Sequence, residues 1–499
     1  KKAGKPVYAF ATAYTDDSYQ LAAHATQIWM DPLGGAILTG PGGSQPYFKG
    51  LLDRLGVKAN VYRVGTFKSA VEPFTRNDQS PESKEAIKAV FDEMWGQWKS
   101  DVTKARPQAL IEPLLTDPAG AVEGARGNLS QLALDSKLVD KLGDRIAFGK
   151  FIAGKYGADD KKTTGGFAAT EMDALLANYG PPSAGKQIGV VTIAGTIVDG
   201  EGGPGTAAGD TVAKQIYEAL DQKDLKALVV RVDSPGGSVT ASEKIRLAIA
   251  AAKAKKIPVV VSMANLAASG GYWISLPADV IFAEPSTITG SIGIFGVIPS
   301  AEAGLAKIGV NADGVKTTPL SGEPDVLGGF SPDFDRVAQS AIENGYRDFI
   351  TRVATARKKT PEQVDAIGQG RVWAGGTARQ NGLVDRLGGM DEALAEAAKR
   401  AGLKPGGWHA VYIEPQPSFA GTLLGGLMPK RETSVAPMDI FALAQWQQQL
   451  FLQRVAADLE MLTRVQGVQA RCIECADFGV PVTVKTESGW LSVLTRWLS

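Results

Sequence analysis

Ala227-Leu228-Val229-Val230-Arg231-Val232-Asp233-Ser234-Pro235-Gly236-Gly237-Ser238 is a β-branched run that stops at a proline–glycine turn. Directly after it, residues 239–255 place Val239, Ile245, Ala248, Ile249 and Ala252 on one helical face. Strand, tight turn and helix follow one another without a break. Outward from this stretch the pattern continues. Residues 188–198 (IGVVTIAGTIV) read as a preceding strand, and 258–263 and 280–283 as following ones. Strands alternating with helices predict an α/β fold on a parallel sheet. Residues 257–278 carry no charge over a length that a membrane span would need. Pro258, Asn265, Gly270, Gly271 and Pro277 interrupt them. Buried parallel strands also read as unbroken apolar runs, so the expectation is buried core.

The pattern occurs twice. Lys137-Leu138-Val139-Asp140-Lys141-Leu142-Gly143 returns as Gly382-Leu383-Val384-Asp385-Arg386-Leu387-Gly388, an offset of 245. Pro6-Val7-Tyr8-Ala9-Phe10 resembles Pro258-Val259-Val260-Val261-Ser262 at an offset of 252, and Tyr19 and Pro32 match Tyr272 and Pro285 at 253. Similar offsets in one order imply two copies of one domain of roughly 240 residues. The first copy spans 1–155 and lacks its beginning; the second spans 188–428. Residues 156–187 form a linker region with a short helix near 171–177. Residues 429–499 form a C-terminal helical segment and tail. Within it, 439–465 read as an amphipathic helix, and Trp490, Leu494, Trp497 and Leu498 as a further apolar stripe; packing on the body or a partner subunit is the expectation, ahead of a membrane-surface role. The chain opens on Lys1-Lys2-Ala3 and enters a strand-like run almost at once, so any N-terminal anchor is expected upstream.

Composition narrows the chemistry. The 499 residues suffice for two to four domains. Lys and Arg total 53, as do Asp and Glu, which removes the basic footprint of a nucleic-acid binder. Two cysteines give no disulfide framework and no Cys-rich metal site. Two histidines, His24 and His409, leave almost no room for a multi-His metal site, and neither lies in a glycine-rich turn.

Three glycine-rich stations occur in the second copy: Asp233–Ser238, Ala267-Ala268-Ser269-Gly270-Gly271-Tyr272-Trp273, and Thr289-Gly290-Ser291-Ile292-Gly293. Taken singly, each reads as a structural turn. Two strand–turn–helix junctions aimed the same way point to a ligand site at the carboxyl ends of the strands. A serine at such a junction is a candidate nucleophile, and it needs a base. Gly180-Pro181-Pro182-Ser183-Ala184-Gly185-Lys186-Gln187 mimics a phosphate loop, but Gln187 stands where Ser or Thr is required and two prolines remove N–H donors. Lys68, in Val64-Gly65-Thr66-Phe67-Lys68-Ser69-Ala70-Val71, stands in an apolar setting; on the residues alone it reads as a surface lysine paired with Glu72.

Taken together and in order, Arg63–Phe74, Ser234–Ser238, Ala268–Trp273 and Thr289–Gly293 resemble the signal peptide peptidase A (protease IV) family of serine proteases. The likeness covers about residues 5–428, and Cys472-Ile473-Glu474-Cys475 resembles that family's C-terminal CxxC; residues 476–499 run beyond its pattern. The resemblance implies a tandem repeat of ClpP/crotonase-like domains and a Ser/Lys dyad. Ser269 matches the nucleophile and Lys68 the general base. Gly237 and Gly270 match the oxyanion hole, and Ser291 supports the lysine amine. The first copy has Thr15-Asp16-Asp17-Ser18-Tyr19 where the second has Ala268–Tyr272, and the second has Thr317-Thr318-Pro319 where the first has Lys68. Each copy thus keeps half of the dyad, and the site is expected where the copies meet.

A free lysine with pKa about 10.4 is neutral in roughly one molecule in 2,500 at pH 7, so a base lysine must be depressed toward about 8, a shift worth roughly 3 kcal/mol. Losing one oxyanion donor typically costs about 3–4 kcal/mol. The resemblance further implies hydrophobic peptide substrates such as remnant signal peptides. It implies a homo-oligomer, with a tetramer suspected, on the periplasmic face of a bacterial inner membrane, and no metal or organic cofactor. Cys472 and Cys475 stay open between a disulfide and a thiol pair. The rivals are a crotonase-like acyl-CoA enzyme and a catalytically dead peptide-binding scaffold.

Overall fold

The computed structural model describes residues 3–178, 180, 183–203, 205–414, 452, 454–456, 458–459, 467–472 and 475. The chain divides into two compact units that do not follow its linear order. One holds Lys1–Ser44 and Phe91–Pro181; the other holds Gln45–Val90, Pro182–Gln416 and the described residues beyond 453.

In the first unit, β1 (Tyr8–Ala11), β3 (Gln27–Met30) and β6 (Lys141–Leu142) form a parallel sheet in the order β1-β3-β6. β2 (Tyr14–Thr15) and β4 (Ala36–Ile37) pair separately. The core gathers Tyr19, Ile28, Met30 and Leu138.

The second unit adds β5 (Lys58–Arg63), β7 (Lys186–Ala194), β8 (Thr196–Val198), β9 (Thr206–Ala208), β10 (Leu225–Ser234) and β11 (Gly236–Ser238). It continues with β12 (Val259–Ala268), β13 (Val280–Ala283), β14 (Ile288–Gly290), β15 (Phe295–Ser300), β16 (Val372–Ala374) and β17 (Arg386–Leu387). β18 (Trp408–Ile413) and β19 (Gln469–Arg471) complete the set. Eight strands form a sheet in the order β16-β14-β12-β10-β7-β18, with β13 branching from β12 to β17. Every pairing in it is parallel except β14 with β16. Central strands such as β10 are apolar on both faces because helices cover both sides. The helices Gly209–Gln222, Val239–Ala254 and Pro332–Arg357 pack Ile216, Ile245, Ile249 and Phe349 onto it. A second sheet runs β5-β15-β19-β11-β8-β9.

The α/β reading therefore holds, and the charge-free stretch 257–278 is indeed core: β12 and the helix Gly270–Ser275 fill it. Among the described residues no helix is long and apolar enough to cross a membrane. One expected strand, 188–198, is two. It breaks at Gly195, whose φ of +85° and closeness to the Gly205 carbonyl (2.4 Å from an added Cβ) turn the chain from one sheet into the other. The expected short linker helix is present as Met172–Asn178. The expected C-terminal helix over 439–465 lies mostly, and the stripe at 490–498 wholly, outside the described residues.

The repeat is visible bond for bond. Tyr19 donates its hydroxyl to the Leu138 carbonyl at 3.0 Å, and Tyr272 to the Leu383 carbonyl at 2.8 Å. Asp140 accepts from the Ile28 N–H and pairs with Arg106; Asp385 accepts from the Ile281 N–H and pairs with Arg357. Burial raises both phenols, so Tyr19 and Tyr272 serve as donors at any ordinary pH.

Candidate active site

Ser269 follows the last residue of β12 and precedes the helix Gly270–Ser275, at φ 55° and ψ −109°. A non-glycine residue at positive φ is uncommon, and holding one there costs on the order of 1–3 kcal/mol. Hydrogen bonds lock it: its N–H donates to the Gly290 carbonyl at 2.8 Å, and its carbonyl accepts from the Trp273 N–H at 2.9 Å. The turn thrusts Oγ out of the strand line. Ser291, directly after β14, also has positive φ (51°), and its N–H donates to the Arg371 carbonyl at 2.7 Å.

Lys68 comes from the first repeat yet belongs to the same compact unit as Ser269. It lies just beyond β5, which pairs antiparallel with β15 from Arg63–Phe295 to Lys58–Ser300. Phe48, Leu52, Ala70, Val71, Phe74 and Phe295 form an apolar cluster around this segment. The lysine is 0% exposed, as are Ser269 and Ser291. The surface-lysine reading is thereby overturned: the amine is fully buried.

Lys68 Nζ stands 3.1 Å from Ser269 Oγ and 3.0 Å from Ser291 Oγ, and it donates to the Ser291 carbonyl at 3.3 Å. Ser269 Oγ also donates to the Gly293 carbonyl at 3.3 Å. Gly370 lets the backbone close over the lysine. Its φ is +79°, and an added Cβ would stand 2.7 Å from Lys68 Cα. Sequence reading missed Gly370, because Gln369-Gly370-Arg371 carries no motif; the signal is only its left-handed turn. Arg371 stacks 4.7 Å from the Phe67 ring and 4.5 Å from the Trp373 ring.

Gly237 and Gly270 come close to the same place. Gly237 is the middle residue of β11, and Gly270 is the first of the short helix. A Cβ on Gly236 would sit 2.5 Å from the Gly270 nitrogen, so only glycine permits this approach. All five expected site residues thus gather in one unit. His24 caps the helix Asp16–Ala23 and is exposed; His409 Nδ1 lies 3.0 Å from the Ala184 carbonyl. Neither takes part. Thr317 and Thr318, the second copy's counterparts of the lysine segment, are exposed. Among the described residues no group of three His, Cys, Asp or Glu is placed to hold a metal ion.

A buried lysine within hydrogen-bond reach of a strained serine is the arrangement of a nucleophile and its base. The family profile of peptidase family S49 matches residues 1–147 and 251–404. A relative named Protease 4 from Salmonella typhi is 45% identical over 96% of this chain and 77% of its own length. Protease 4 of Haemophilus influenzae is 40% identical over 80% of this chain and 65% of its own. A chloroplastic serine protease SPPA of Arabidopsis thaliana is 26% identical over 94% and 67%. Among solved structures, a ClpP1 variant from Listeria monocytogenes aligns at 16% identity and a TM-score of 0.27, over 41% of this chain and 94% of its own. The chain belongs to peptidase family S49. It is a serine endopeptidase, and the two matched segments agree with the tandem repeat.

Proposed function

We propose that the chain cleaves hydrophobic, signal-peptide-like segments through a Ser269–Lys68 dyad and an acyl-enzyme. The observation that carries this reading is the 3.1 Å approach of Nζ to Oγ in a site where neither residue is exposed. Burial disfavours an ammonium, and a neutral amine can accept a proton. Neutral Lys68 takes the Ser269 hydroxyl proton as Oγ attacks the peptide carbonyl. The N–H groups of Gly237 and Gly270 receive the oxyanion. Lys68 then delivers its proton to the departing amine. A water enters, Lys68 takes its proton as the hydroxide attacks the acyl carbon, and Lys68 then returns that proton to Ser269 Oγ as the acid leaves, regenerating both groups. Ser291 holds the amine in line through its Oγ.

The reading places the chain at a membrane, where remnant signal peptides, being apolar, would lie. The reading includes a homo-oligomer, a tetramer, facing the periplasm and anchored by sequence upstream of this chain. Light scattering checks the assembly. For the activity, a detergent-solubilised synthetic signal peptide is incubated with the purified chain and with Ser269→Ala. Fragments from the first and none from the second are expected. Equal fragments from both would overturn the reading.

A further inference from the structure

Strand β19 comes from the far end of the chain and enters the second sheet between β15 and β11. It is antiparallel to both. Gly236, Gly237 and Ser238 face Arg471, Ala470 and Gln469, and Phe295 faces Gln469. The ladder extends past the strand ends: the Val239 N–H donates to the Val468 carbonyl at 3.1 Å, and the Cys472 N–H to the Pro235 carbonyl at 2.8 Å. Bonded pairs alternate along an antiparallel ladder. The bonds at 239/468 and 235/472 therefore make 237/470 a bonded pair and turn the Gly237 N–H toward the Ala470 carbonyl. That oxygen also lies beside Gly270: a Cβ on Gly236 would stand 2.1 Å from it, and one on Gly270 3.1 Å. Ala470 is 0% exposed, and Cys472 is joined to Cys475 by a disulfide just beyond the strand.

The Ala470 carbonyl thus lies among the backbone donors assigned to the oxyanion, within an added strand, which is how an extended peptide augments a sheet. With the strand seated, Ser269 and Lys68 have no exposed surface. Resting on the Ser269–Lys68 reading, we infer that β19 is an intrasteric strand: it occupies the peptide groove between β11 and β15 in a substrate's pose and must leave before a peptide can enter. The three residues have no hydrophobic pattern that would demand burial, and two of them, Gln469 and Arg471, are polar. Backbone pairing seats them, and Ala470 packs into the core of the unit. The 2.8 Å bond from the Cys472 N–H to the Pro235 carbonyl holds the side on which a cleaved amine would leave.

The test uses the full chain and Ala470→Pro, which removes the ladder's N–H at that residue. Turnover of a short fluorogenic peptide amide and the rate of phosphonate labelling at Ser269 are both measured, and thermal unfolding confirms that the variant is folded. A several-fold gain in kcat/KM and in labelling rate supports the inference; unchanged or lower rates in a folded variant overturn it. A synthetic peptide of residues 466–473 carrying Cys472→Ser is added in trans to the folded Ala470→Pro chain, whose groove is open, and should inhibit it competitively; its failure to bind there overturns the inference. Intact mass decides the last point. An uncut chain supports an inhibitor, whereas a cut between Ala470 and Arg471 makes the strand a substrate and contradicts it. If neither chain labels at Ser269 or turns over peptide, the dyad reading fails instead.

Discussion

Lys68 Nζ and Ser269 Oγ meet at 3.1 Å across 201 residues of chain, one from each repeat, inside a single compact unit. The second copy keeps the strained serine and has the exposed Thr317-Thr318-Pro319-Leu320 where the first has Thr66-Phe67-Lys68. The first keeps the lysine and has Asp16 where the serine would be. The Asp16 carboxylate accepts the N–H groups of Thr39 and Gly40, at 3.2 and 3.1 Å. Burial raises its pKa, opposed by those bonds.

Removing either half of the dyad should abolish hydrolysis. Ser269→Ala and Lys68→Met are expected to lower kcat/KM by about 1,000-fold or more, with non-additive losses in the double variant. Lys68→Met keeps the buried volume, so its unfolding temperature should fall only modestly. Steady-state kinetics on a peptide amide, beside a thermal melt, checks both points.

The pH profile should have a definite sign. On the proposed dyad the active form carries a neutral Lys68, so kcat/KM should rise with pH. Ser291→Ala removes an acceptor 3.0 Å from the amine. A hydrogen bond to the charged form favours that form. Its loss should move the rising limb to lower pH while lowering the plateau. A limb that moves upward would contradict the role assigned to Ser291.

Gly370→Ala should act through position. An added Cβ would press Lys68 Cα at 2.7 Å, on a backbone of φ +79°. Misplacement of a catalytic group by about 1 Å can cost on the order of 100-fold. Kinetics should show kcat falling far more than KM changes.

Glu243 should stabilise the fold above the usual glutamate range. Burial raises its pKa, but hydrogen bonds from Arg246 and Trp273 and the Arg246 and Arg352 charges outweigh that and hold it low. A depressed folded pKa contributes stability that is present above the unfolded value, about 4.3, and is lost as pH falls through the folded value. The melting-temperature gap between the native chain and Glu243→Gln should therefore be wide at pH 7 and shrink in acid.

Much of this was legible in the sequence. The β-branched run before Gly236 and the helical face after it dictate β-turn-α, and the matched Leu138 and Leu383 segments reveal the repeat. The glycine stations mark where backbone crowds the site, because no other residue allows Gly236 to approach Gly270. Three features were not legible. A lysine looks solvated unless its surroundings are known, and those of Lys68 come from Phe295, over 200 residues away. The placement of Gln45–Val90 with the second unit depends on pairing between β5 and β15, a non-local contact with no local signature. Strand β19 is three residues of mixed polarity whose ladder is made of main-chain bonds that any sequence can make.

The most direct measurement is covalent labelling with a serine-reactive phosphonate, located by mass spectrometry in the native chain, in Ala470→Pro and in Lys68→Met. A single adduct on Ser269 in the first two, absent from the third, is the predicted result. Labelling that ignores Lys68, or a Ser269 that stays unmodified in both lysine-containing chains while they bind CoA thioesters, would contradict the account.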